Sequence, residues 1–122
     1  MEFFIVFLIG FLGYPLLEIL WRGYTHIAMA FAGGICFFII YFLSKRLVGI
    51  SIFEKALWGA LAITIVELLF GFIFNIVLNM NIWDYSYVPF NFYGQICLRY
   101  FLIWTALCFG LFPLCGFLAK IL

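Results

Sequence analysis

The segment WDYSYVPFNFYGQ, Trp83 to Gln95, lies between two long apolar runs and decides how the chain is organised. It is rich in polar and aromatic side chains, although 70% of the 122 residues in the sequence are hydrophobic. Irregular backbone beside a membrane needs hydrogen-bond partners, and short side chains such as Asp84, Ser86 and Asn91 can supply them. We therefore predict an ordered connector that folds over one end of a bundle of membrane helices.

Composition places the chain among integral membrane proteins, with the lipid bilayer as its surroundings. Only 9% of the residues are Asp, Glu, Lys or Arg, against about a quarter in soluble domains. The net charge is only +1, and the sequence has no cluster of basic residues that could bind phosphates. We therefore expect no nucleic-acid partner. The N-terminal segment lacks the basic start and the cleavage site of a signal peptide, and we expect it to remain as a first span.

Four segments have the roughly 20 mostly apolar residues that a helix needs to cross about 30 Å of hydrocarbon. They are approximately Phe3 to Trp21, Ile27 to Leu43, Lys55 to Leu78 and Ile96 to Phe117. The links between them are short, which forces neighbouring helices to run antiparallel. The expected fold is a single domain, residues 1–122, forming an all-α transmembrane bundle of four antiparallel helices with the connector between the third and fourth.

The basic residues favour one orientation of this bundle. Four of the six Lys and Arg residues lie in the middle loop or near the C-terminus, namely Lys45, Arg46, Lys55 and Lys120, whereas Arg22 and Arg99 lie on the opposite side. The positive-inside rule then predicts cytoplasmic termini and an outward-facing connector. A bias of four against two leaves reversed or dual topology open.

Each span carries a stripe of small or polar residues on one helical face. Lipid gives helices no hydrophobic reason to associate, so such residues mark the contacting faces. The stripes are Gly10, Tyr14, Glu18 and Arg22; then His26, Ala30, Gly33 or Gly34, Phe37, Tyr41 and Ser44; then Ala56, Ala60, Thr64, Glu67, Gly71 and Asn75; and finally Gln95, Arg99, Ala106 and Gly110. We predict that they line the interior, with Gly33, Gly34 and Gly71 as packing positions and with Trp21, Trp58 and Trp83 at the membrane interfaces.

Glu67 lies midway along the third span, where an unpaired carboxylate costs roughly 2.5 to 3.5 kcal/mol. Two interpretations stay open: a functional carboxylate, or a neutral acid that holds the bundle together by hydrogen bonding. Glu18 and Arg22 form an i, i+4 pair that could be structural. Arg99 could reach Glu18 or Asp84, and two arginines near carboxylates could also bind an anion.

The sequence contains no recognisable catalytic or metal motif. His26 is the only histidine, no HExxH or phosphate loop occurs, and the four cysteines form no CxxC pair. We expect no enzyme activity, no metal and no cofactor, and interpret the cysteines as packing residues.

The connector carries its own predictions. Asp84 is placed to accept hydrogen bonds from backbone N–H groups of the following turn, or alternatively to reach Arg22 or Arg99. Asn91 and Gln95 should satisfy free N–H groups at the start of the last helix. The Trp83 ring should pack on the bundle.

Three blocks of the sequence resemble small bacterial membrane proteins of the ABC-transporter type IV, or ABC-transporter permease-like, family. They are LLEILWRGYTHIAMAFAGGICF (Leu16 to Phe37), ITIVELLFGFIFNIVLNMNIWDYS (Ile63 to Ser86) and PFNFYGQICLRYFLIW (Pro89 to Trp104). The resemblance implies a multipass protein of the bacterial cytoplasmic membrane. Its characteristic positions would be Glu18, Arg22, Gly23, Thr25, His26, Gly33, Gly34, Glu67, Gly71, Asn75, Trp83, Asp84, Tyr85, Ser86, Asn91, Gly94 and Gln95.

Two functions fit these observations. The first is an oligomeric transporter or channel for an ion or small molecule, in which Glu67 and the Glu18, Arg22, His26 and Arg99 cluster line a path. Four helices enclose too little volume for a pore within a single subunit, so two or more subunits would be needed. The second is a non-transporting scaffold or interaction subunit whose polar network, including Asn75, Asp84, Asn91 and Gln95, is structural.

Overall fold

A computed structural model describes all residues from 1 to 122 and contains four long helices. They are α1 (Glu2–Arg22), α2 (Ile27–Arg46), α3 (Ile52–Phe70) and α4 (Leu98–Ile121), and α3 continues into a π-helical segment, Gly71–Val77. All four are long and apolar enough to cross a membrane, α3 together with its π-helical continuation. The predicted fold class, an all-α membrane bundle of four helices, is confirmed.

A small β-hairpin in the connector was not predicted. Its strands are β1 (Asn91–Phe92) and β2 (Ile96–Cys97), which pair antiparallel. The turn between them includes Gly94 at φ +70°, a left-handed conformation that glycine adopts without steric penalty. Because Ile96 belongs to the hairpin, α4 begins at Leu98, two residues later than the sequence suggested.

Helix α3 begins at Ile52, earlier than the predicted Lys55. Ser51 caps it, because its hydroxyl oxygen accepts a hydrogen bond at 3.2 Å from the backbone N–H of Glu54. This bond satisfies one of the N–H groups that the first turn of a helix leaves free. The boundary is therefore set by a cap rather than by the first apolar residue.

Helices α1 and α2 pack closely through glycines. A Cβ added to Gly10 would lie 2.5 Å from the carbonyl oxygen of Gly33, so only glycine permits this approach. At the terminal end of the pair, Glu2 accepts hydrogen bonds from Lys45 at 2.6 Å and from Tyr41 at 2.8 Å. The start of α1 therefore lies beside the end of α2, as antiparallel neighbours require.

The inward face of α4 differs from the predicted stripe. Arg99, Ala106 and Gly110 are exposed, whereas Trp104 and Cys108 are buried. Cysteine takes the place of the expected small residues: a Cβ on Gly59 of α3 would lie 2.7 Å from Cys108 Sγ. All four cysteines are free, and three of them, Cys97, Cys108 and Cys115, are buried.

The bundle has a filled half and a hollow half. The hydrophobic core lies toward the termini and the α2–α3 loop, and it consists of Val6, Phe37, Ile40, Tyr41, Ala56, Ala60, Ile63, Trp104, Cys108, Phe112 and Cys115. Helix α1 packs mainly on α2 and helix α3 mainly on α4, and α2 also contacts both α3 and α4. A cleft remains between α1 and α4 on the connector side, and it contains the candidate site.

Candidate functional site

Two cavities with shared walls occupy the hollow half. The outer pocket, of about 520 Å³, is lined by α1, α4 and the connector, and it includes Glu18, Arg22 and Asp84. The inner cavity, of about 90 Å³, lies among the four helices and includes Glu67. Six residues line both: Tyr14, Leu17, Met29, Trp83, Trp104 and Leu107. The shared walls make one recess that leads from the connector side toward the middle of the bundle.

Glu67 lies at the inner end of this recess and is hydrogen-bonded to two neutral groups. The Tyr85 hydroxyl donates to one carboxyl oxygen at 2.8 Å, and the Trp104 indole N–H donates to the other at 3.4 Å. The residue is buried and forms no ion pair. Its carboxyl group thus joins α3 to both the connector and α4 without a compensating cation.

Glu18 lines the outer pocket, nearer to the connector end of the recess. Unlike Glu67, it is paired with a cation. The Arg22 guanidinium contacts one carboxyl oxygen at 3.1 Å, and the Thr25 hydroxyl donates to the other at 2.8 Å. Arg22 also stacks over the Tyr24 ring, 4.7 Å from its centroid. The favourable i, i+4 spacing therefore produces a real ion pair, which also fixes the turn after α1.

The π-helical segment fastens the connector to the end of α3. Within it, Asn75 donates to Gln95 Oε1 at 2.8 Å and accepts from the backbone N–H of Ile82 at 2.6 Å. The Trp83 indole donates to the Gln95 carbonyl oxygen at 2.9 Å. Gly71 allows this contact, because a Cβ there would lie 2.6 Å from Gln95 Oε1. π-helical turns often occur at functional sites.

The segment from residue 79 to residue 93, which includes most of the connector, contains several left-handed backbone positions. All four non-glycine residues with positive φ lie between residues 79 and 93: Asn79, Asn81, Phe90 and Tyr93. A left-handed conformation costs an aromatic residue roughly 1 to 2 kcal/mol. The surrounding hydrogen bonds must hold this backbone in place.

Asp84 is hydrogen-bonded within the protein, as predicted. It is exposed, and its carboxylate accepts from the backbone N–H of Ser86 at 2.9 Å. That hydrogen bond holds the pKa of Asp84 below its usual value, because it stabilises the charged form. Asp84 forms no ion pair with Arg22 or Arg99, so the alternative prediction was wrong. Trp83 is buried, so its ring packs on the bundle as predicted, and its place at the membrane interface stays a prediction.

Asn91 and Gln95 do not serve the start of α4, which corrects the sequence-based prediction. Asn91 donates to the Val88 carbonyl oxygen at 2.8 Å and accepts from the Gly94 N–H at 3.0 Å. Gln95 precedes the helix and bonds Asn75 and the Tyr93 carbonyl oxygen. Both side chains stabilise the connector itself.

The proposed cluster of His26 and Arg99 with the outer acids does not form. His26 is the N-cap of α2, with its Nδ1 accepting from the Ala28 N–H at 3.0 Å. Arg99 is exposed and makes no ion pair. Arg22 lines the outer pocket and Arg99 does not, so the two arginines do not share that pocket. No three His, Cys, Asp or Glu side chains lie close enough to hold a metal ion.

Sequence reasoning missed two residues of the site, Tyr85 and Trp104. Tyr85 belonged to the motif WDYS, but its hydroxyl was not assigned a partner. Trp104 could have been identified from the sequence. Its indole N–H lies well inside a predicted span, where a hydrogen-bond donor needs an acceptor nearby. The Tyr85 ring stacks on Tyr100 at 4.8 Å, and this contact aims its hydroxyl at Glu67.

Comparisons with known proteins place this architecture in a family. No curated protein and no solved structure matches the chain. One family matches almost the whole of it, from residue 3 to residue 120. The chain therefore belongs to the family described as "Putative ABC-transporter type IV".

Proposed function

We propose that this membrane protein is a transporter or channel and that Glu67 is the group its solute meets. The observation that carries the proposal is the recess, whose inner cavity is walled by Glu67 and whose outer pocket opens on the connector side. An intramembrane acid without a cation partner marks a functional site by default. The family description supports the same assignment.

The proposal includes assembly and orientation. The outer pocket opens on the connector side, and the inner cavity ends among core residues such as Ile40 and Ile63. A complete path therefore needs either movement of the helices or a second subunit, and we propose a homo-oligomer. The termini lie in the cytoplasm of a bacterium, the connector faces outward across the inner membrane, and no enzymatic step takes part.

Flux through proteoliposomes tests the assignment. Wild-type protein should carry at least one solute from a panel of protons, Na⁺, K⁺ and small organic cations, whereas Glu67→Gln should reduce that flux to the level of empty liposomes. The control is Glu54→Gln, because Glu54 is an exposed acid outside the recess. Full flux in the Glu67 variant would contradict the proposal.

A structural role is the second candidate, and a specific observation favours it. Glu18, Glu67, Asn75 and Gln95 each bond a partner within the chain. As a scaffold, the wild-type protein should give no flux for any solute of the panel. Glu67→Gln should then only lower the melting temperature of the detergent-solubilised protein.

A further inference from the structure

Acidic residues outnumber basic residues along the recess. Three carboxyl groups line it, those of Glu18, Asp84 and Glu67, against the single guanidinium of Arg22. Arg22 is already paired with Glu18 at 3.1 Å. The two remaining acids have no cation within ion-pair distance. An anionic ligand would meet this surplus of acids, whereas a cation would be attracted by it.

The walls offer a second feature that attracts cations. Eight of the 17 residues that line the outer pocket are Tyr or Trp. Aromatic faces attract cations through their quadrupole, and groups of such rings are the usual binding site of quaternary ammonium groups. Tyr14 and Trp104 line both cavities, and their ring centroids are 6.2 Å apart. The two neighbouring rings therefore form one aromatic wall that the outer pocket shares with the cavity of Glu67.

The same walls offer no cluster of carboxylate, His or Cys side chains that favours a small inorganic cation. Such an ion must exchange its hydration shell for several oxygen ligands, and no three acidic, His or Cys side chains converge anywhere in the structure. A pocket of about 520 Å³ lies within the range of about 300 to 1,000 Å³ for small-molecule sites. Size and lining thus suit an organic cation with apolar substituents.

We propose that the recess binds a lipophilic organic cation in the outer pocket, with its charge against the wall formed by the Tyr14 and Trp104 rings and on the side of the recess that leads to the Glu67 carboxyl group. The inference deepens the proposed function by naming a substrate class, and it rests on that function for its biological meaning. The cleft between α1 and α4 is where such a molecule enters.

Equilibrium binding to the detergent-solubilised protein tests this inference. Tetraphenylphosphonium and tetraphenylborate have nearly the same shape and opposite charge. A difference between their affinities therefore reports the effect of charge, whereas nonspecific apolar partitioning would bind both. Wild-type protein should bind the cation saturably and should not bind the anion. In Glu67→Gln and Trp104→Leu the Kd for the cation should rise about tenfold or more. Glu54→Gln and Arg99→Leu should bind as wild type does.

The outcomes separate the inference from the proposed function. Equal binding of both ions, or cation binding that is unchanged in the Glu67 variant, would overturn the inference. Glu67-dependent flux of another solute would then leave transport standing. Conversely, cation-selective binding that needs Glu67, without flux in proteoliposomes, would support the inference and refute transport. Melting temperatures of the variants identify any loss of binding that comes from unfolding, and Tyr14→Leu then repeats the test at the second ring of the aromatic wall.

Discussion

At the scale of single residues, the most informative side chain is Tyr85. Its hydroxyl is 2.8 Å from Glu67, and its ring stacks on Tyr100. Tyr85→Phe removes the hydrogen bond and keeps the ring. Because a buried carboxyl group then loses its closer donor, we expect the free energy of unfolding to fall by about 1 to 3 kcal/mol.

Denaturation of the detergent-solubilised protein measures this change. The matched control is Tyr87→Phe, because Tyr87 lies in the same connector but is 77% exposed. A double-mutant cycle with Glu67→Gln isolates the coupling between the two groups. Equal effects of the two tyrosine substitutions would show that the hydroxyl of Tyr85 is not bonded to Glu67.

At the scale of elements, the junction between the π-helical segment and the connector should be sensitive to one methyl group. In Gly71→Ala, the new Cβ would lie 2.6 Å from Gln95 Oε1, which is also the acceptor of the Asn75 amide. We expect a loss of stability of roughly 1 to 3 kcal/mol, because overpacking displaces a buried hydrogen bond.

Thermal unfolding of Gly71→Ala beside Gly116→Ala gives the comparison. Gly116 lies in α4 with open space around it, so alanine there should be neutral or slightly stabilising through its higher helix propensity. A Gly71 variant as stable as the Gly116 variant would show that the Gln95 side chain can move aside freely.

These elements also show what the sequence could reveal. Long apolar runs and short links were enough to predict four antiparallel membrane helices, because span length follows from bilayer thickness. The stripes placed Gly10, Glu18 and Glu67 correctly on buried faces. The predicted stripe of α4 was wrong, because Ala106 and Gly110 are exposed and the inner positions belong to Trp104 and Cys108. At that face the buried Trp104 indole reaches Glu67.

The details of the site depend on contacts between distant parts of the chain. Asn75 and Gln95 are 20 residues apart and bond each other across the end of α3. The π-helical turn and the two-residue strands are too short to show a periodic pattern of apolar residues. Neither could therefore be predicted from the sequence. Motif residues such as Asp84 and Tyr85 could therefore be named, while the partner of Tyr85 could not.

At the scale of the whole molecule, orientation in the membrane remains a prediction. Ser51 and Ser86 are both exposed and lie at opposite ends of the bundle. In intact cells, a membrane-impermeant thiol reagent should label Ser86→Cys, whereas Ser51→Cys should react only after lysis. The wild-type chain, with three buried cysteines and a half-buried Cys36, is the control. Labelling of Ser51→Cys from outside would show reversed topology, and labelling of both would show dual topology.

The hydrogen bonds of Glu67 have a consequence for how the chain is made. Its two donors lie later in the sequence, Tyr85 by 18 residues and Trp104 by 37. At about 5 to 20 residues per second, a ribosome reaches Trp104 roughly 2 to 7 s after Glu67. During that interval the Glu67 carboxyl group lacks the Trp104 hydrogen bond, so the apolar neighbours of Glu67 carry more of the cost of placing it in the membrane. Glu67 can have both donors only after the start of α4 has been made, and the inner end of the recess is therefore completed late in synthesis.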